Sequence, residues 1–94
     1  MSSKIETLVE EITDVDFDAL HPAALIVWND DHNTFEHVIR TLIKVCKHEP
    51  EQAEQCAMMV HYNGKCVVKQ GVLRDLRPMK DAITERGIKA TVNE

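Results

Sequence analysis

Two short stretches hold the residues best equipped for chemistry. Asn29-Asp30-Asp31, with Asn33 just beyond, gathers carboxylates and carboxamides, and His61 stands further along the chain beside Tyr62. Asp30 and His61 have the types needed for an acid–base pair, a carboxylate and an imidazole exchanging a proton with a bound substrate. No convincing nucleophile, phosphate loop or cofactor motif accompanies them, so the expectation is a protein that is not an enzyme. The same residues also suit plain structural roles. Asn and Asp side chains bond nearby backbone amides in a strand-to-helix turn, and a histidine at a helix C-terminus meets the negative end of the dipole. For metal, His21 is set aside beside Pro22. The other histidines and Cys46, Cys56 and Cys66 contain no Cys-x-x-Cys or His-x-x-x-His spacing, and Cys46-Lys47-His48 is too close-set and isolated for a zinc knuckle. Neither a metal nor a cofactor is expected.

Stepping outward from the clusters, each is bounded by an element that positions it. Ala23-Ala24-Leu25-Ile26-Val27-Trp28 is a short continuous apolar run ended by Asn29-Asp30-Asp31, which reads as a buried strand. Asn33 with Glu36 three residues later has the form of a capping box, and Phe35, Val38, Ile39, Leu42, Ile43 and Cys46 follow at helical spacing. Pro50 opens a second helix with Ala53, Cys56, Ala57 and Val60 on one face; His61 falls in its last turn and Asn63-Gly64 stops it. Lys65 to Lys69 reads as a short strand, with a turn at Gly71. A third helix is expected over about Leu76 to Arg86, with Pro78 in its first turn and Gly87 after its end. Ile88-Lys89-Ala90-Thr91-Val92 alternates like a half-buried strand. The order βααβαβ predicts an α+β fold, a small three-stranded, mainly antiparallel sheet with three helices on one face.

Length and charge limit what such a domain does. Ninety-four residues make one small domain, and 44% hydrophobic with 29% charged residues suits a globular chain. A formal net charge of −5 is the wrong sign for holding a phosphate backbone, so nucleic acid is not an expected partner. No apolar run approaches the ~20 residues that span a bilayer, and no export signal is visible. Three cysteines are no disulfide framework. Together these point to the cytoplasm and away from membranes. The charge is uneven. Residues 1–22 set Glu6, Glu10, Glu11, Asp14, Asp16 and Asp18 against Lys4 alone, which accounts for the whole excess of −5. We therefore expect an acidic, flexible N-terminal extension over 1–22 and a formally neutral domain over 23–94. Ile5, Leu8, Val9 and Ile12 also recur at helical spacing, so an amphipathic helix in the extension stays open.

The segment from Ile26 through Asn29-Asp30-Asp31-His32-Asn33-Thr34-Phe35-Glu36 to Ile39, and the later Val60-His61-Tyr62-Asn63-Gly64-Lys65, resemble ClpS, the adaptor of the Clp protease. Members carry a hydrophobic strand ending in Asn-Asp-Asp, a helix opening Thr-Pro-Met-Glu, and Val-His-x-x-Gly-Lys at the end of the next helix. The resemblance covers about residues 24 to 92. It implies recognition of N-degrons, the free α-amino group and bulky apolar first residue (Leu, Phe, Tyr or Trp) of a protein destined for degradation, and delivery to the ATP-driven unfoldase ClpA. It also implies a fold shared with the C-terminal domain of the ribosomal stalk protein. By position, Asn29, Asp30 and His61 would bind the amine, while Asp31, Asn33, Phe35, Val38, Ala57, Val60 and Ile88 would border the side-chain pocket. A ClpS-like interaction module with a different protein partner is the alternative.

Departures from the family pattern fall at the pocket and beside the third helix. Ala57 and Phe35 occupy positions where many members have methionine, one change enlarging the pocket and the other refilling it. Val68-Lys69-Gln70-Gly71 looks like a one-residue insertion before a third helix about one turn shorter than in many members. In the family that surface meets the unfoldase, and an N-terminal extension enters the unfoldase pore. The acidic leader matches that extension in position and not in motif.

Overall fold

A computed structural model of the protein describes residues 17–94. The chain enters through a 3-10 turn, Phe17–Leu20, then forms strand β1 (Pro22–Trp28), helix α1 (Phe35–Cys46), helix α2 (Pro50–Asn63), strand β2 (Lys65–Val72), helix α3 (Leu73–Glu85) and strand β3 (Ala90–Asn93). The strands form one antiparallel sheet in the order β2-β1-β3, so the apolar first strand lies at its centre. The βααβαβ order and the α+β class agree with the sequence reading.

Alternation along β1 explains why the helices gather on one face. Leu25 and Val27 are fully buried beside Val38 and Leu42 of α1, Ala53, Ala57 and Val60 of α2, and Leu76 and Ile83 of α3. Cys66 and Val68 of β2 and Ala90 of β3 point into the same core. Each large side chain buried here contributes roughly 1.5 to 3 kcal/mol. On the opposite face, Trp28 donates from Nε1 to Thr91 Oγ1 at 2.9 Å, and the ammonium groups of Lys65 and Lys89 lie 5.2 and 5.7 Å from its ring centroid. The β1–β2 ladder skips a residue between Leu25 and Ile26: Leu25 pairs with Lys69 but Ile26 with Val67, so Val68 is a bulge.

Several boundaries differ from expectation. The N-cap of α1 is Thr34, whose hydroxyl accepts from His37 N–H at 3.1 Å; Asn33 does not cap, because its side chain is engaged elsewhere. β2 continues to Val72, and Gly71 pairs with Ala23 within the ladder where a turn was expected. α3 consequently starts at Leu73, three residues early, and Pro78 lies beyond the first turn. Its ring removes the N–H that would bond the Arg74 carbonyl. Arg74 and Pro78 are both exposed, and the helix continues to Glu85. β3 begins two residues late, although Lys89 already accepts from Trp28 N–H at 2.9 Å.

β1 starts at the edge of the expected extension. Pro22 belongs to β1, and the preceding turn is tied to α3 through Leu73 N–H to His21 O, 3.1 Å. The rest of the acidic leader, residues 1–16, with the helical spacing of Ile5 to Ile12, lies outside the described residues.

Candidate functional site

The end of β1 and the end of α2 meet because their backbones are joined. Gly64, with φ +89°, caps α2 by donating to Val60 O at 3.0 Å, and its own carbonyl accepts from Asn29 N–H at 2.9 Å. Only a residue that tolerates the left-handed region lets the chain turn from helix to strand in this way. The result sets Asn29 and His61 on one cleft of about 440 Å³, within the size range of small-ligand sites. Phe35 and Val38 of α1 and Ala57 and Val60 of α2 form its apolar walls, and Asn33 and Thr34 border it.

Asp30 organises the turn between β1 and α1. Its Oδ1 accepts from the backbone N–H groups of His32 and Asn33 at 2.9 and 3.0 Å, and its Oδ2 accepts from Asn33 Nδ2 at 2.7 Å. Burial acts to raise the Asp30 pKa, but these three hydrogen bonds, helped by the nearby His32, together hold it below the ordinary value. Asn33 Nδ2 also donates to Gly87 O at 2.9 Å, and His37 Nε2 lies 2.9 Å from Arg86 O. The start of α1 is thereby fastened to the loop between α3 and β3.

Across the cleft the polar tips are uncommitted. His61 is exposed and meets Tyr62 edge-on, with ring centroids 4.9 Å apart. Neither its ring nor the Asn29 side chain takes part in a hydrogen bond among the described residues. The three hydrogen bonds to the Asp30 carboxylate come from His32 and Asn33, so an Asp30–His61 proton relay is not assembled.

Of the residues singled out by sequence, Asn29, Asn33, Phe35, Val38, Ala57, Val60 and His61 line this cleft. Asp30 lies in the turn behind Asn29. Asp31 is exposed outside the cleft, and Ile88 is 3% exposed in the core, packed with the helices and not on the cleft wall. Thr34, Met58 and Tyr62 line the cleft without having been anticipated. A signal existed for two of them: Met58 and Tyr62 fall off the Ala53, Cys56, Ala57 and Val60 face of the helix, and the structure leaves them 47% and 74% exposed.

The model of the family described as ATP-dependent Clp protease adaptor protein ClpS matches residues 19–91. The chain belongs to the ClpS family. ATP-dependent Clp protease adapter proteins ClpS from Escherichia coli O1:K1 and from Citrobacter koseri are each 40% identical to it over 53 residues, 53% of this chain and 50% of theirs. The chain thus matches about half the length of these curated relatives. Agrobacterium tumefaciens ClpS2, solved bound to L-phenylalaninamide, superposes with a TM-score of 0.67 over 79% of this chain and 96% of that one. At 20% identity this likeness shows the ClpS fold. Among the described residues of this ClpS-family chain, no helix is long and apolar enough to cross a membrane.

Proposed function

We propose that this ClpS-family domain is a cytoplasmic adaptor without catalytic activity. It binds the free α-amino group and bulky apolar first residue of N-degron substrates and delivers them to an ATP-dependent Clp protease with a ClpA-type unfoldase. The observation that carries this reading is the pairing of uncommitted Asn29 and His61 with the apolar walls of one cleft. An α-amino group, with a pKa of about 7.7 to 8.0, is mostly protonated at neutral pH and offers three donors. The Asn29 carbonyl oxygen and the unprotonated nitrogen of His61 accept two of them, and the Asp30 carboxylate supplies the opposing charge behind them. Phe35, Val38, Ala57 and Val60 then take the first side chain, whose burial contributes roughly 1.5 to 3 kcal/mol. The bulky ligand on the Agrobacterium relative, L-phenylalaninamide, has this chemistry, a free amine beside an apolar ring.

Calorimetry with peptides beginning Leu, Phe, Tyr or Trp, against their N-acetylated forms, tests the reading. Binding of the free-amine peptides alone supports it. Equal binding of acetylated peptides, or no binding of either, rejects it and leaves a ClpS-like module with another partner.

Handover to the protease is assigned to the acidic leader. Because His21 is tied to α3, the deletion that tests this removes residues 2–16 and keeps the turn after them. This deletion is expected to leave peptide affinity unchanged and to abolish degradation of an N-degron substrate by the Clp protease. Undiminished degradation by the truncated adaptor sinks the assignment.

A further inference from the structure

The last carbonyls of a helix find no partner within it, and two at the end of α3 are met by side chains from the start of α1. Arg86 and Gly87 are held to the last turn of α3 by their own N–H groups, which donate to Ile83 O and Thr84 O at 3.0 Å each. Ile83 and Ile88, on either side of them, are buried in the core. Asn33 Nδ2 donates to Gly87 O at 2.9 Å, and His37 Nε2 stands 2.9 Å from Arg86 O. A carbonyl oxygen only accepts, so Nε2 carries the proton at this contact. Asn33, just before the N-cap, and His37, one turn further on, thus present donors to two successive carbonyls.

These two donors bracket the cleft wall. Phe35 lies between them in the chain; it and Val38 line the cleft, whereas His37 does not. Asn33 borders the cleft and also holds Asp30 Oδ2 at 2.7 Å, so its removal disturbs several contacts together. His37 reaches the loop from outside the cleft. Its backbone N–H donates to the capping hydroxyl of Thr34 at 3.1 Å, so one residue fixes the first turn of α1 through its main chain and its side chain alike.

We propose that His37 is a positioning residue for the peptide cleft: its hydrogen bond to Arg86 O holds the first turn of α1 against the end of α3 and so sets how far Phe35 stands from Ala57 and Val60 across the cleft. The inference rests on the amine-binding reading and adds to it a residue that touches no part of the ligand. An apolar wall works only at contact distance. A radial gap of roughly 0.5 to 1 Å forfeits a quarter to a half of the attraction between packed atoms. A small drift of Phe35 therefore weakens the hold on the first side chain, while the acceptors for the amine stay in place.

Fluorescence anisotropy with a Phe-initiated peptide, labelled at its C-terminal end to leave the amine free, tests this on the full-length chain. His37→Ala is expected to lower affinity about 3- to 10-fold, the range that one hydrogen bond can transmit. His37→Gln, whose Nε2 donor reaches the same carbonyl, is expected to restore most of it. Phe35→Ala removes the side chain through which His37 acts. Adding His37→Ala to that variant is then expected to change affinity by less than about two-fold, a coupling that a loss of stability alone does not produce. Thermal melting verifies that every variant is folded at the assay temperature. No binding by the parent overturns the amine-binding reading and this proposal with it. Where the parent binds, unchanged affinity in His37→Ala, no recovery in His37→Gln, or an equal loss with and without Phe35 overturns the proposal alone.

Discussion

On the α1 side of the cleft the polar groups satisfy one another, whereas on the α2 side they are left facing solvent. Asp30 accepts three hydrogen bonds from His32 and Asn33, Asn33 reaches on to Gly87, and Thr34 caps α1. The His61 and Tyr62 rings meet edge-on, while Met58 and Tyr62 expose apolar surface. The first wall spends its hydrogen-bonding capacity on shape; the second keeps its capacity for a ligand. Asn29 belongs to both, its backbone fixed to Gly64 and its carboxamide uncommitted. A side chain of the first kind is expected to change stability when altered, and one of the second kind to change binding alone.

The largest effects are expected on binding. Asn29→Ala and His61→Ala each remove an acceptor for a charged donor, worth about 1.5 to 3 kcal/mol, or roughly 10- to 100-fold in peptide affinity. Both side chains are exposed, so melting curves are expected to stay within about 0.5 kcal/mol of the parent. Calorimetry with a Phe-initiated peptide, beside thermal denaturation, checks both halves. A large stability loss in either variant would erase the contrast between the walls.

Asp30→Asn probes the opposite wall. An amide keeps one acceptor for the two backbone N–H groups but turns its own NH2 donor toward the Asn33 Nδ2 donor, so a loss of about 1 to 2 kcal/mol in stability is expected. The pH dependence carries a definite sign. Because the folded carboxyl is held below its ordinary value of 3.8, its contribution is complete above that pH and is lost as pH falls through the lower folded value. The gap between parent and Asp30→Asn, followed by urea denaturation, is therefore expected to be flat from pH 7 to about pH 5 and to close in stronger acid. A gap that widens in acid contradicts the turn-organising role.

This contrast also marks what the chain made legible. Local signals carried the elements: the apolar run of β1, the 3-and-4 spacing of α1, Pro50 and Gly64 around α2. Asn33 was misread as a cap because its true partners include Gly87, 54 residues away, and no local pattern announces such a bond. Gly71 suggested a turn by residue type, but pairing with Ala23 across the ladder kept it in β2 and so advanced the start of α3. Residue types around the cleft were readable, while their division between shape and reception was not. Asp30 and His61 both suit acid–base chemistry on paper, and only the distribution of their hydrogen bonds separates a turn organiser from an exposed acceptor.

Gly64 offers the smallest and most discriminating perturbation, because it joins the two walls without belonging to either. A Cβ built there meets nothing within 4 Å, so the penalty of Gly64→Ala lies in its φ of +89° and not in a clash. A cost of about 1 kcal/mol in stability is expected, with Gly64→Asn costing less because Asn tolerates the left-handed region better. Relaxation of that strain tilts the last turn of α2 and shifts His61 relative to Asn29, whose backbone hangs from the Gly64 carbonyl. Peptide affinity is then expected to fall a few-fold, in the order parent, Asn, Ala. Thermal melts and calorimetry on the same two variants check this order. If both lose stability but bind as the parent does, the separation of Asn29 and His61 is not what sets amine affinity, and the receptive wall acts through His61 without need of the junction.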